Sequence, residues 1–389
     1  MRVVFVLACI LYLLESSSAV NKFSDSSLTA YKSKKSNQNM ATRRKVAAPS
    51  TTGAKGASSS TTVAQGASGG SLAQLALGAG GIYACYLYYG TLQEDVTSFV
   101  NADGEKFDFP WFLNGLEAFA NVVIGGMGVL NGDGGANIGA LLRTPAVRDL
   151  FPFSGLGQVA AKTSTTLALT SGLSFPVVTL AKSGKMVPVM IGQLLQGSRY
   201  SLKEYLTVAL IIGGTVMVSM SKGSKKGGGD SMMGVAFIVA SLACDGFTAS
   251  MQHRIKNQSK ASKIRVEGFD MMFSTNVVMA VVAFVVAFAM GEIAPGIAYC
   301  TANPDILSKV IKFAVCSALG QSFIFYTISN FDSLTCTTVT TTRKVFSVLL
   351  SIFTKGHQLN TQGWSGIGVA SAGIMMELHN KFSGKAKAH

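Results

Sequence analysis

Two pairs of basic residues stand inside apolar stretches of the chain. Lys182 and Lys185 lie in LAKSGKMVPVM (180–190), three positions apart and so on one face of a helix. Arg343 and Lys344 adjoin each other in TCTTVTTTRKVFSVLL (335–350), which contains no acid. Lys162 is a fifth base in such a stretch, against two embedded acids, Glu117 and Asp245. An ionisable residue within a bilayer costs about 2.5–3.5 kcal/mol on insertion scales, so these positions are functional candidates by default. Structural salt bridges need matched signs, and a cation path needs surplus acid. Surplus positive charge calls instead for a mobile anion. Phosphate suits such a cradle, because Arg binds it bidentately and Lys serves as a point charge. Snorkelling of these side chains to the interface is the plainer alternative, chiefly for Lys162. The threonines before Arg343 (Thr335, Thr337, Thr338, Thr340, Thr341, Thr342) either line a polar cavity or bond back to carbonyls one turn earlier.

These residues need a scaffold that spans a membrane, and the composition supplies one. The 389 residues are 48% hydrophobic and 13% charged, about half the ~25% of soluble domains. The net charge of +14 comes from the N-terminal tail and from loops. No aromatic-interleaved basic patch accompanies it, so nucleic acid is not implied. The six cysteines are scattered without a Cys-x-x-Cys pair, and the four histidines fall in loops or the tail. Neither a disulfide framework nor a metal site is expected. GQSFI (320–324) lacks the last glycine of a nucleophile elbow, and the glycines of 132–139 form no phosphate-binding loop. The chain does not read as an enzyme, and no cofactor is called for.

Residues 3–14 are twelve apolar residues after Arg2, too few to span a bilayer, so 1–19 reads as a signal-peptide-like leader. Residues 20–71, rich in Ser, Thr, Ala and Lys, read as a disordered tail or as a transit peptide for a complex plastid. Spanning helices are predicted near 73–91, 109–130, 155–174, 176–195, 203–220, 232–251, 269–290, 308–328, 333–353 and 362–379. Ten spans divide into five-helix halves, 72–220 and 221–380, and an odd number per half makes any repeat an inverted one. The architecture expected is therefore an all-α polytopic membrane protein of two inverted five-helix repeats. The basic loops (Arg143, Arg148, Arg199, Lys203, Arg254, Lys256, Lys260, Lys263, Arg265) share one side, opposite the acidic loop with Glu94, Asp95, Asp103, Glu105 and Asp108. The positive-inside rule puts that basic side, and both termini, in the cytosol, although a working signal peptide would invert this. The loop 221–230 breaks the pattern, and Asn257 heads a glycosylation sequon on the cytosolic side. In the tail 381–389, Lys385 and Lys387 match a dilysine retrieval signal of the endoplasmic reticulum, which the COPI coat reads. Gly366/Ala370 and Gly368/Ala372 in the last span serve close packing or a homodimer face.

YYGTLQE (88–94), KSGKMVPVM (182–190), RYSLKEYL (199–206), DGFTASMQ (245–252), ALGQSFIFYTISNF (318–331) and LTCTTVTTTRK (334–344) resemble the nucleotide-sugar transporters. The likeness is to the solute carrier 35 B group of the drug/metabolite transporter superfamily, with its UDP-galactose transporter-like members, over about residues 72–389. It implies that Lys182, Lys185 and Lys344 hold nucleotide phosphates beside Arg343, with Gln321, Ser322, Tyr89 and Gln93 at the same cavity. It also implies an antiporter importing UDP-galactose or UDP-glucose into the lumen of the endoplasmic reticulum or Golgi against UMP, with no metal. ATP/ADP exchange across the reticulum membrane and a plastid-envelope carrier of phosphorylated metabolites stand as alternatives. A non-transporting membrane scaffold is the rival from another class. Gly184 stands where the family usually has Cys and Met186 where it has Pro, which softens the fourth helix.

Overall fold

The computed structural model of the chain describes residues 72–131, 134–185, 187–188, 190, 201–221, 228–264, 266–331, 333–356 and 359–386. The leader, the tail 20–71, most of the loop 221–230, and Lys387 lie outside the described residues, as do the side chains of Lys185 and Lys385. The first half contains α1 (Leu72–Ser98), α2 (Pro110–Asn131), α3 (Gly134–Arg143), α4 (Pro145–Arg148), α5 (Phe151–Thr170), α6 (Phe175–Ala181) with a 3-10 turn at Lys182–Lys185, and α7 (Leu202–Ser221). The second contains α8 (Gly228–Ala261), α9 (Gly268–Ala289), α10 (Ile293–Ala302), α11 (Pro304–Asn330), α12 (Ser333–Lys355) and α13 (Thr361–Ala386). Prolines open several of them (Pro145, Pro176 and Pro304 among others), where the missing N–H would have no partner in any case.

A helix overlaps each predicted span, and among the described residues five are long and apolar enough to cross a membrane: Pro110–Asn131, Leu202–Ser221, Met232–Ala261, Gly268–Ala289 and Pro304–Ile328. Threonine, serine and basic side chains dilute α5 and α12. The fourth predicted span, 176–195, departs most from expectation. The α-helix stops at Ala181 and tightens into the 3-10 turn Lys182–Lys185. Pro188 supplies a reason: it has no N–H for the carbonyl of Gly184, and its ring crowds that carbonyl. The sixth span runs longer than predicted, because no Gly or Pro follows Gly246 until Gly268. It closes on a Schellman pattern, with the Ile264 N–H donating to the Ser259 carbonyl at 2.9 Å and the Lys263 N–H to the Lys260 carbonyl at 3.2 Å. Lys263 takes the left-handed position of that pattern, at φ 57°.

Helices of the two halves pack in pairs: α1 with α11, α2 with α9, α5 with α8, α6 with α12 and α7 with α13. One large core cluster draws Trp111, Ala168, Val178, Met279, Val348 and Ile367 from both halves. The α7–α13 contact is backbone to backbone. A methyl group on Gly214 would lie 2.4 Å from the Ala370 nitrogen, and one on Gly366 would lie 2.8 Å from the Gly214 carbonyl oxygen. Gly366 and Ala370 are therefore spent inside the bundle, whereas Gly368 and Ala372 are exposed.

The ends of the helices joined by the acidic loop are braced. Glu292, 2% exposed, accepts the Trp111 and Phe112 N–H groups at 2.8 and 3.2 Å, capping the start of α2 from the loop before α10. Lys106 Nζ donates to the Thr170 carbonyl at 3.1 Å, and the Tyr299 hydroxyl to that of Glu105 at 2.8 Å. Asp95 at the end of α1 pairs with Lys309 of α11 at 3.4 Å and with Lys355 of α12.

Candidate functional site

Where the fourth predicted span tightens into its 3-10 turn, its backbone meets the other basic pair. Lys344 Nζ donates to the Lys182 carbonyl oxygen at 3.3 Å, so α12 of the second half docks on the tightened 3-10 turn of the first. Both side chains, with Arg343, line a cavity of about 810 Å³ between the halves. Tyr86, Tyr89, Gly90 and Gln93 of α1 form one wall, and Asp245, Gly246, Thr248, Ala249 and Gln252 of α8 another. Toward the acidic-loop end its lining includes buried Asn114 and Phe175, 2% and 7% exposed, and half-buried Gln93. Toward the basic-loop end its lining includes exposed Ala249 and half-buried Gln252. The lining thus runs from Gln93, two residues before Asp95, to Gln252 on the basic-loop side.

Arg343 lies over the ring of Tyr86, 4.8 Å from its centroid, a cation–π geometry. Its Nη1 donates to the Tyr86 carbonyl at 3.3 Å and to Ser347 Oγ at 3.4 Å, and its Nε has no hydrogen-bond partner. No carboxylate pairs with Arg343 among the described residues. Lys182 is differently placed: Asp245 Oδ2 holds its ammonium at 3.1 Å, and it donates to Thr165 Oγ1 at 2.9 Å. Lys162 also lines the cavity and pairs with Glu117 at 2.8 Å. Glu117, 1% exposed, accepts a second bond from Ser317 Oγ at 2.5 Å. This corrects the charge balance read from sequence. Lys162 and Lys182 are matched inside the protein, and Arg343, with Lys344 beside it, lines the same cavity without a paired carboxylate among the described residues on Arg343. Lys162 does not snorkel; it closes a buried strut between α2, α5 and α11.

Of the residues singled out in sequence, Tyr89, Gln93, Lys182, Arg343 and Lys344 come together in this cavity. Lys185 stands in the 3-10 turn, its side chain outside the described residues. Gln321 and Ser322, half-buried on α11, are not among the lining residues, and Ser322 Oγ donates to the Ala318 carbonyl at 3.0 Å. The threonine run does not line the cavity either. Thr340 and Thr342 bond back to the Cys336 and Thr338 carbonyls at 2.9 and 2.8 Å, and Thr342 also meets the Tyr83 hydroxyl at 2.8 Å. Sequence reading missed Tyr86 beneath Arg343 and Glu377 of α13, a buried acid on the lining. Glu377 carried a usable signal, being an acid within the last predicted span.

The profile of the UAA transporter family matches residues 74–381. Solute carrier family 35 member B1 of Dictyostelium discoideum is 32% identical over 320 residues, covering 79% of this chain and 77% of that protein. UDP-galactose/UDP-glucose transporter 3 of Arabidopsis thaliana is 31% identical, covering 79% and 92%. UDP-galactose transporter homolog 1 of Aspergillus fumigatus is 28% identical, covering 79% and 84%.

Proposed function

The chain belongs to the UAA transporter family, and on that premise we propose that it is a nucleotide-sugar antiporter, carrying UDP-galactose or UDP-glucose in exchange for UMP. The observation that carries the proposal is the meeting of Lys344 with the Lys182 carbonyl beside Arg343, on the wall of a cavity between the halves. Lys182, Lys185 and Lys344 take the phosphates, and Arg343, set on Tyr86, adds planar donors. Tyr89 and Gln93 border the remaining space. The names of the relatives supply the UDP-sugar class.

Movement follows from two inverted five-helix repeats rocking about this cavity, with ten spanning helices. The packing pairs support that reading. Exchanging each helix with its counterpart five spans on maps the α1–α11 contact onto α8–α5, and maps α2–α9, α6–α12 and α7–α13 onto themselves. With the basic loops in the cytosol, the cavity loads from that side and the Asp95 cluster parts to release cargo into the lumen. Lys385 and Lys387, at the positions of a dilysine signal for the COPI coat, support the endoplasmic reticulum as the carrier's membrane; the alternative, a complex-plastid membrane, is the one the leader favours. The exposed Gly368/Ala372 face of α13 is the surface for a homodimer.

The test uses proteoliposomes preloaded with UMP. Labelled UDP-galactose should enter only with internal UMP, and Lys182→Ala or Lys344→Ala should reduce entry about tenfold or more, as loss of a charge-assisted bond to phosphate implies. Unchanged uptake by both variants overturns the site. Competition by ATP in preference to UDP-glucose would reassign the carrier to ATP/ADP exchange, and competition by phosphoenolpyruvate to plastid metabolites.

A further inference from the structure

The two lysine–carboxylate pairs of the cavity differ in one physical respect. In the Lys162–Glu117 pair the acid is 1% exposed and held a second time by Ser317, so it is sealed. In the Lys182–Asp245 pair both side chains are open to the cavity, 25% and 29% exposed, and Lys182 is the only partner of Asp245 among the described residues. The open pair also joins parts that must move relative to each other. Asp245 belongs to α8 in the second half, and Lys182 begins the 3-10 turn that breaks the fourth span of the first. The neighbouring Gly246 sits where a methyl group would lie 3.1 Å from Cβ of Pro188, just beyond that turn. The contact is therefore a cross-half tie at the point where the backbone is least regular.

We propose that Asp245 is a resident counter-ion: it occupies Lys182 while the cavity is empty and is displaced when an anionic group of the cargo takes that ammonium. The inference rests on the carrier reading above and adds a coupling element to it. A phosphate oxygen arriving at Lys182 competes with one carboxylate held by one bond, at a site already wetted by the cavity. Displacement unties α8 from the broken helix and frees the halves to rock. Departure of the cargo lets Asp245 return, so the unloaded carrier is latched again. An empty protein that cannot cross makes transport an exchange, because return requires a second anion. Glu117, sealed and doubly bonded, keeps its lysine throughout.

The sign of one measurement separates this role from the alternative, in which Asp245 merely positions Lys182 for cargo. The full chain and its Asp245→Asn and Glu117→Gln/Lys162→Met variants are titrated with UMP and with inorganic pyrophosphate. Asp245→Asn should bind both about fivefold more tightly, the scale of a lost competing ion pair that is partly exposed, while Glu117→Gln/Lys162→Met, which removes the sealed pair together and leaves no new charge on the wall, should not tighten binding. Vesicles loaded with labelled UMP should lose it without external substrate faster through Asp245→Asn than through the wild type, relative to the exchange rate. Weaker or unchanged binding by folded Asp245→Asn overturns the proposal and makes the residue a positioning group, as does an unchanged ratio of efflux to exchange. Wild type that binds pyrophosphate but no UMP, with tightening on pyrophosphate in Asp245→Asn, overturns the UDP-sugar reading and leaves the counter-ion standing. UMP binding without tightening does the reverse.

Discussion

Removing Lys162 should damage the fold more than removing its partner, and the margin follows from which charge is left behind. In Lys162→Met the carboxylate of Glu117 stays 1% exposed, with Ser317 on Oε1 and nothing on Oε2. Stranding a buried charge costs about 3–5 kcal/mol. In Glu117→Gln the stranded charge is Lys162, 25% exposed on the cavity wall, where water can solvate it. The amide oxygen still accepts from Ser317, so the loss should be about 1 kcal/mol. The double variant Glu117→Gln/Lys162→Met removes both charges at nearly constant volume and should recover most of what Lys162→Met loses, since replacing a buried pair by neutral groups is often close to neutral. Thermal unfolding of detergent-purified protein, read as the fraction that survives heating and elutes folded, ranks the three. The expected order of survival is double variant and Glu117→Gln together, well above Lys162→Met. If Glu117→Gln proves as damaging as Lys162→Met, or the double variant no better than Lys162→Met, the pair is not a sealed strut, and the contrast with Lys182–Asp245 loses its basis.

Adjacent glycines in α7 should respond in opposite directions. Gly213→Ala adds a methyl group with nothing within 4 Å and should stabilise by about 1 kcal/mol. Gly214→Ala drives a methyl group into the backbone of α13 and should destabilise by about 1–3 kcal/mol or more, and the same heating assay reads both. Lys263→Gly should raise stability by about 1 kcal/mol, because the helix terminator there demands a left-handed residue and lysine at φ 57° is strained. Loss of that gain would mean that the charge of Lys263 matters more than its backbone. Asp95→Asn removes the carboxylate shared by Lys309 and Lys355 and should loosen the acidic-loop end. A cysteine placed at Gly90, with the native cysteines replaced, should then be labelled faster from that side; an unchanged rate would remove the Asp95 cluster from the gate.

Helix existence was legible because it depends on segment-scale apolarity, which survives any detail of packing. The break at Lys182–Lys185 was foreshadowed only as softening at Gly184. The stronger cause, Pro188, lies four residues beyond Gly184, the distance at which a missing N–H and a crowded carbonyl act. At the site, residue type alone singled out Lys182, Arg343 and Lys344. Charge matching was not legible, because the pairs Lys162–Glu117 and Lys182–Asp245 join residues 45 and 63 positions apart in the chain, on helices whose register no periodicity reports. The threonine run left two readings open for a related reason: its composition suits a polar cavity or bonding back to the helix, and Thr340 and Thr342 turn their hydroxyls to their own helix.

The arrangement links charge to backbone in a way neither supplies alone. A backbone carbonyl has two lone pairs, so the Lys182 oxygen can serve its own helix and still accept from Lys344; what the helix type sets is how well that oxygen is held by its own turn. The 3-10 turn after Ala181 gives that carbonyl poorer hydrogen-bond geometry within its own helix and leaves it the better acceptor for α12, so the positive wall is assembled by the change of helix type as well as by the residues on it. Restoring a regular helix there should therefore disturb the site without touching any cation. The position to change is Pro188, since Pro188→Ala returns an N–H donor to the Gly184 carbonyl. The variant should fold as stably as the parent and lose affinity for UMP, whereas Pro188→Gly, which restores the donor but not the helical preference, should lose less. Equal affinity in Pro188→Ala and the parent would show that the carbonyl contact is incidental to the cavity.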